Sequence, residues 1–177
     1  MRFSIIKIVL IFLCFLTIFV VSFYVQENKI KNRFLNKIHQ NKSYEDPLIN
    51  NLYQDFKIIT KYNDSNQLVK FRLSDFPFVL TWITITEKNN EKGIFSDLVG
   101  FANGMNDDTK IDIYLNYKFW KDLTEIEKRS VLYHELLHDC YNLEHVNDSC
   151  DLLNPKLNIC ENIDLNKKLY FKINSTK

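Results

Sequence analysis

The sequence predicts an α+β domain preceded by an N-terminal apolar segment, and three observations lead to this fold class. First, residues 8–25 carry no charge, a stretch close to the length at which a helix crosses a bilayer. Second, strand-like segments cluster between residues 67 and 115. Third, the clearest helical pattern follows these strands and contains two histidines four residues apart. Strands placed ahead of a long helix are typical of a small mixed sheet packed on that helix.

The composition excludes some classes of partner. The chain has 177 residues, with 23 basic and 22 acidic side chains and a formal net charge of +1. Such a balance produces no strong field, so we expect no nucleic-acid partner. Aromatic residues make up 14% of the chain, which is enough for one compact core in a single domain.

The N-terminal segment is interpreted as an uncleaved membrane anchor. Its apolar run is longer than that of most secretory signals, and it ends in Ser22-Phe23-Tyr24-Val25 without a small-residue cleavage pattern. A cleaved signal, which would release a secreted domain, is the alternative. More basic residues follow the span than precede it, and the positive-inside rule alone would therefore keep the domain in the cytoplasm. Because long domains translocate largely regardless of these charges, we expect an exported, membrane-anchored domain.

Three parts follow from this pattern: residues 1–26 as transmembrane anchor or signal, residues 27–45 as a polar stalk or linker, and residues 46–177 as the folded domain. Asp46 and Pro47 predict the start of the domain's first helix, as N-cap and first helical residue. The remaining elements are expected in chain order: strands at 67–73, 78–86, 95–103 and 111–115, the HELLH helix, and a short closing helix at 163–173. Gly100 and Gly104 are expected to interrupt the third strand.

The long helix is predicted from its start signal and its apolar surface. Thr124 and Glu127 fit a capping box, in which each side chain binds the backbone N–H of the other residue. Apolar residues from Ile126 to Cys140 form a broad surface, as expected of a helix buried against a sheet.

This helix carries the sequence HELLH at residues 134–138. Two histidines four apart project from one helix face, the spacing that lets both imidazoles bind one metal ion. Glu135 can then reach a metal-bound water without being a ligand and act as general base. A catalytic zinc site needs a third protein ligand, and Glu144 and His145 stand side by side as candidates.

The segment from His134 to His145 resembles the metzincin group of zincin metallopeptidases, in which HExxH is followed by a helix-breaking Gly and a third His. Here Asn142 stands where the Gly is expected, three residues before His145, and Asn is the next-best residue for a left-handed turn. The resemblance therefore favours His145 as third ligand, with Glu144 as the alternative.

A second resemblance lies at residues 151–155, which are similar to an I-M-N-P turn of small bacterial metallopeptidases known mostly from their motif. Leu153 takes the position of the Met that metzincins place beneath the metal, and Leu can fill the same apolar floor. An ordinary Asn-Pro turn is the alternative. This likeness extends over about residues 46–158 and implies a zincin-like fold.

The resemblance implies a zinc-dependent metallopeptidase acting on peptide or protein substrates, with Zn²⁺ held by His134, His138 and His145 and with Glu135 as base. Three alternatives stay open: a degenerate zincin serving as a membrane-anchored binding module, a metal-dependent amidase on a non-peptide substrate, and a structural membrane protein with an accidental motif.

Several other residues have more than one interpretation. Asp139 either orients an imidazole or is a solvated helix charge. Tyr141 and Tyr170 are either oxyanion stabilisers or core residues. The strand at 95–103 is either an edge that accepts a peptide substrate or an inner strand. Cys150 and Cys160 could pair in an oxidising compartment, whereas Cys140 is expected to be an inert thiol.

Overall fold

The computed structural model describes residues 2–77, 98–146, 151–154 and 164–174. Helix α1 (Arg2–Gln40) belongs to one compact unit, and the described residues from Asn41 to Phe76 and from position 98 onward belong to a second. Within the described residues, one helical stretch is long and apolar enough to cross a membrane, Phe12–Gln40. A signal sequence or the core helix of a soluble protein meets the same criterion, so the anchor and the three-part division of the chain stay predictions.

The second unit has a mixed α+β architecture, and this part of the fold prediction is confirmed. The elements among its described residues are, in chain order, β1 (Ser43–Tyr44), α2 (Pro47–Thr60), β2 (Leu68–Ser74), β3 (Gly100–Ala102), β4 (Lys110–Asn116), α3 (Tyr117–Trp120), α4 (Glu125–Tyr141) and α5 (Leu165–Asn174).

The four described strands form one mixed sheet in the order β1-β2-β4-β3. The central pair β2 and β4 is parallel, in a register that places Val69 opposite Ile111 and Leu73 opposite Leu115. Strands β1 and β3 flank this pair and run antiparallel to their neighbours. Nothing in the sequence predicts β1, which lies in the segment expected to be a stalk. The expected strand at 78–86 and the first residues of the one at 95–103 lie outside the described residues.

The core lies between the sheet and helix α4. Alternation along β4 turns Ile111, Ile113 and Leu115 into the core, where each is at most 1% exposed. Helix α4 contributes four fully buried side chains: Leu132, Tyr133, Leu136 and Leu137. Helix α2 contacts both α4 and α5, and its buried face includes Leu52 and Phe56. Burying one face of α4 in this way sets the direction in which its two histidines point.

Asp46 joins three helices. Its side chain accepts the N–H of Leu48 at the start of α2, as the N-cap prediction requires. The other carboxylate oxygen accepts from the indole Nε1 of Trp120 at 2.8 Å and from the ammonium of Lys128 at 3.0 Å. The beginning of α2 is therefore fastened to α3 and to the first turn of α4.

Candidate metal centre

Helix α4 begins and ends where local chemistry predicts. Thr124 caps its N-terminus, and Thr124 and Glu127 form both hydrogen bonds of the capping box. At the other end Asn142 adopts the left-handed conformation with φ 51°, and its backbone N–H donates to the carbonyl of Leu137. The expected left-handed turn at Asn142 is thus present, although an amide replaces the usual glycine.

This turn brings a third imidazole to the two on the helix. The Nε2 atom of His134 lies 3.0 Å from that of His138 and 3.2 Å from that of His145. The ligand atoms of the three histidines all lie within 4.8 Å of one another. Among the described residues, no other group of three His, Cys, Asp or Glu side chains converges in this way.

Two backbone carbonyls orient the helical imidazoles. Nδ1 of His134 lies 2.6 Å from the carbonyl oxygen of Leu152, and Nδ1 of His138 contacts the carbonyl oxygen of Leu143. A carbonyl can only accept, so each Nδ1 carries the proton and each Nε2 presents a lone pair to the shared space. This is the arrangement in which histidine ligands of metals are usually held.

The histidine cluster fits a divalent metal ion. In a tetrahedral site with zinc–nitrogen bonds of about 2.05 Å, two ligand nitrogens lie about 3.3 Å apart. The observed separations of 3.0 and 3.2 Å are close to that value. Burial lowers the pKa of His134 to about 4 and also lowers the pKa of His138, so both rings are neutral at pH 7. Lone pairs this close repel one another unless a cation lies between them.

Glu135 lies against β3. It is 8% exposed, and the backbone N–H of Ala102 donates to its carboxylate. A Cβ atom at Gly100 would lie 2.7 Å from Oε1 of Glu135, so the close approach of β3 requires glycine there. Burial, only partly offset by the Ala102 N–H, raises the pKa of Glu135 to about 8. Such a carboxyl group exchanges a proton near neutral pH.

A cavity of about 570 Å³ opens between β3 and helix α4. Its walls include His134, Glu135, His138 and His145 together with apolar side chains from both sides: Leu98, Val99, Phe101, Met105, Val131 and Leu152. The histidine cluster is therefore open to a molecule in the cavity, which a catalytic metal requires and a closed structural site does not provide.

A family model described as "putative phage metallopeptidase" matches residues 50–161. The match spans more than half of the chain and includes residues 134–145. The chain belongs to this family. No curated protein and no solved structure matches the chain. A metallopeptidase family implies a divalent metal ion and a peptide or protein substrate, in agreement with the three-histidine cluster.

The other candidate site residues predicted from the sequence lie at different distances from the histidine cluster. Glu144 lines the cavity but is exposed, and it is not one of the three clustered side chains. Asp139 is buried, and its carboxylate accepts from the backbone N–H groups of Gly104 at 2.9 Å and Asp112 at 3.2 Å. It therefore fastens the β3–β4 connection to α4 and is not a solvated helix charge.

The two tyrosines lie away from the cavity wall. Tyr141 packs its ring against Phe56 and Tyr62 and donates to the carbonyl of Thr60, as a core residue does. Tyr170 is 52% exposed on α5. Leu153 is buried, next to the Leu152 carbonyl that contacts His134, and its role as counterpart of the metzincin Met stays a prediction. Cys140 is a partly buried free thiol, while Cys150 and Cys160 lie outside the described residues.

The backbone groups that contact the motif side chains were not predicted from the sequence. The carbonyls of Leu143 and Leu152 and the N–H of Ala102 contact the three motif residues of α4. Every residue has such groups, so no side-chain pattern identifies them in advance. Gly100 had a visible signal, since a glycine within a strand often marks a close backbone approach. It was expected to interrupt the strand and is instead the first residue of β3.

Proposed function

We propose that this protein is a zinc-dependent metallopeptidase that hydrolyses peptide bonds in the cavity between β3 and α4. The observation that carries the proposal is the convergence of His134, His138 and His145 at 3.0 and 3.2 Å, with Glu135 on the next position of the same helix. All-nitrogen ligation by three neutral imidazoles suits zinc better than magnesium or calcium, which prefer oxygen ligands.

The proposed division of labour follows from the position of each side chain. When bound, zinc supplies Lewis acidity, which lowers the pKa of a water and polarises the substrate carbonyl. Glu135 takes the proton from the attacking water and delivers it to the leaving amine. Glu135 lines the same cavity wall as the three histidines, so its carboxylate is placed to accept and then release that proton. Leu152 and Leu143 keep the imidazoles of His134 and His138 in the ligating tautomer.

We also propose zincin-like packing, with an extended substrate added to β3. In the described sheet β3 is the terminal strand, and it runs antiparallel to β4 beside the cavity. A peptide that pairs with this edge through main-chain hydrogen bonds lies close to Glu135, which contacts Ala102 of the same strand. The apolar lining of the cavity then receives its side chains.

The N-terminal part of the proposal is membrane anchoring. The length and apolar composition of Phe12–Gln40 support a single span. Export of the peptidase domain rests on the rule that long domains translocate largely regardless of flanking charges. Retention of the full-length chain in a carbonate-washed membrane fraction supports the anchor. Release of a shortened chain into the medium instead identifies a cleaved signal and a secreted enzyme.

The deciding experiment compares the full-length protein in detergent with Glu135→Ala, His145→Ala and Glu144→Ala. We expect about one zinc per wild-type chain and hydrolysis of a mixed peptide library. Glu135→Ala should keep the metal and lose activity by at least about a hundredfold, the scale of general base catalysis. His145→Ala should weaken zinc binding, whereas Glu144→Ala should not.

Other outcomes select the alternatives. Weaker zinc binding in Glu144→Ala than in His145→Ala makes Glu144 the third ligand. Zinc without hydrolysis of any amide indicates a catalytically degenerate binding module. Hydrolysis of cell-wall amides but not of peptides indicates an amidase. A wild-type chain that binds no divalent metal ion overturns the proposal and leaves an accidental motif.

A further inference from the structure

A short turn connects two of the three clustered histidines. In the turn of residues 151–154, the carbonyl oxygen of Leu152 lies 2.6 Å from Nδ1 of His134. The next carbonyl, that of Leu153, accepts the N–H of Val146 at 3.1 Å, and Val146 follows His145 directly. A shift of this turn therefore moves both the ring of His134 and the backbone that carries His145.

Asp151 gives the turn its conformation. Its Oδ1 accepts the N–H of Leu153 at 2.8 Å, and its carbonyl oxygen accepts the N–H of Asn154 at 3.2 Å. An aspartate that accepts a backbone N–H two residues later is a common device for stabilising a turn. The direction of the Leu152 carbonyl is thus set within the turn by the Asp151 side chain.

The second carboxylate oxygen of Asp151 binds outside the turn. Oδ2 lies 2.8 Å from Nζ of Lys172, in helix α5 near the end of the chain. The two side chains are only 21% and 20% exposed, so solvent screens this pair less than a surface pair. Helix α5 itself is held in the core by Leu165, Leu169 and Ile173. It provides a fixed support for the turn, although the two segments are far apart in sequence.

We infer that Lys172 is a positioning residue for the metal centre, acting through Asp151 and the Leu152 carbonyl on His134 and through Leu153 on the segment of His145. Lys172 does not line the cavity and acts through Asp151. It holds the turn at the position where the imidazoles of His134 and His145 converge. This inference rests on the proposed function, because it assigns a partner to the proposed zinc ligands.

The test is zinc affinity, measured by chelator competition on the full-length protein in detergent. Residues that support metal ligands typically change metal affinity by about 10–100-fold, and we expect about a tenfold loss for Lys172→Met. Lys172→Arg keeps the charge and should recover most of that loss. Lys167→Met removes an exposed lysine from the same helix and should bind zinc like the wild type.

Two further readouts separate positioning from general stability. The visible absorption of the Co²⁺-substituted protein should change in Lys172→Met and not in Lys167→Met, because the spectrum reports ligand geometry. Asp151→Asn keeps an acceptor for the Leu153 N–H but loses the charge, so it should reproduce the affinity loss. Combining it with Lys172→Met should then add little.

If Lys172→Met lowers the melting temperature of the metal-free protein but leaves its zinc affinity and cobalt spectrum unchanged, the ion pair is merely structural and the inference is overturned. The proposed function survives that result. If the wild type binds no zinc, the proposed function fails and this inference fails with it. Should Lys172→Met not fold, Asp151→Asn decides the question alone.

Discussion

Glu135 of helix α4 lies directly against the backbone of β3. Gly100 leaves room for its carboxylate, and the N–H of Ala102 holds it. The proposed general base is therefore positioned by a neighbouring strand as well as by its own helix. The approach is so close that even one methyl group on β3 would meet the carboxylate.

At the residue scale we predict that Gly100→Ala impairs hydrolysis and spares the metal. The new Cβ would lie 2.7 Å from Oε1 of Glu135, which forces the carboxylate or the strand to move. Displacing a catalytic group by about 1 Å can cost about a hundredfold in rate, and we expect a loss of this order in kcat/KM. Peptide turnover and bound zinc should be measured on the same sample.

A double variant provides the control for Gly100→Ala. In Glu135→Ala the side chain that the methyl group meets is gone. Adding Gly100→Ala to it should therefore cost less stability than adding Gly100→Ala to the wild type. Equal costs in both backgrounds would show that the methyl group strains the strand itself and that Glu135 is not its main contact.

At the element scale, Asn142 ends α4 and turns the chain so that His145 lies beside the two histidines of the helix. Its φ of 51° is the left-handed region that glycine adopts freely, asparagine tolerates and alanine resists. Its side-chain oxygen also accepts the N–H of Asn106 in the β3–β4 connection. The residue thus fulfils two roles, and substitutions can separate them.

We predict that Asn142→Ala destabilises the protein more than Asn142→Gly. Both lose the hydrogen bond from Asn106, worth about 1 kcal/mol. Only alanine also meets the steric penalty of the left-handed conformation, about 1–2 kcal/mol. Urea unfolding should show that difference, and zinc affinity should fall more in Asn142→Ala. Equal destabilisation by the two substitutions would mean that the amide contact, not the backbone conformation, maintains the turn.

At the scale of the whole molecule, Asp46 connects the first helix of the domain to the helix that carries the motif. Burial disfavours its ionised form, but the hydrogen bonds from Trp120 and Lys128 outweigh burial and lower its pKa. A lowered folded-state pKa means that the ionised Asp46 carboxylate is more stable in the native state than in the unfolded chain. The stability from this link is fully present above the unfolded value of about 3.9 and is lost as pH falls through the folded pKa.

We predict a pH-dependent difference between the wild type and Asp46→Asn. Asparagine is also a good N-cap, so the variant should keep the start of α2. Its amide nitrogen replaces the oxygen that accepts from Trp120 and Lys128, so it loses the charge and those two hydrogen bonds. At pH 7 it should be less stable by about 1 kcal/mol, the scale of a partly buried charged hydrogen bond. That gap should close as the pH falls below about 4. Urea unfolding at pH 7, 5 and 3 measures this difference in the free energy of unfolding. A difference that stays constant with pH would show that Asp46→Asn destabilises the protein through packing and not through charge.

Metal binding should also be visible in the stability of the whole molecule. A ligand at about a hundred times its Kd stabilises the folded state by about 2.7 kcal/mol if it binds only that state. We therefore expect zinc to raise the melting temperature of the wild type and to have a much smaller effect on His145→Ala. Magnesium prefers oxygen ligands and serves as the control ion. An equal rise with magnesium would indicate a different, carboxylate-based site.

The amino-acid sequence by itself determined the features that depend on residues within about one helical turn. The cap at Asp46, the capping box at Thr124, the left-handed end at Asn142 and the four-residue spacing of His134 and His138 were all predicted and are present. Each rests on contacts between near neighbours in the chain, so residue type and spacing are sufficient information.

Only the tertiary structure decided which distant groups meet. The parallel pairing of β2 with β4, the proximity of Gly100 to Glu135, the Leu152 carbonyl beside His134 and the Asp151–Lys172 pair all join segments far apart in sequence. The buried role of Asp139 belongs with them, since its partners are backbone N–H groups of another segment. Backbone donors and acceptors are the same at every residue, and only the folded arrangement of the chain selects which of them a side chain can reach.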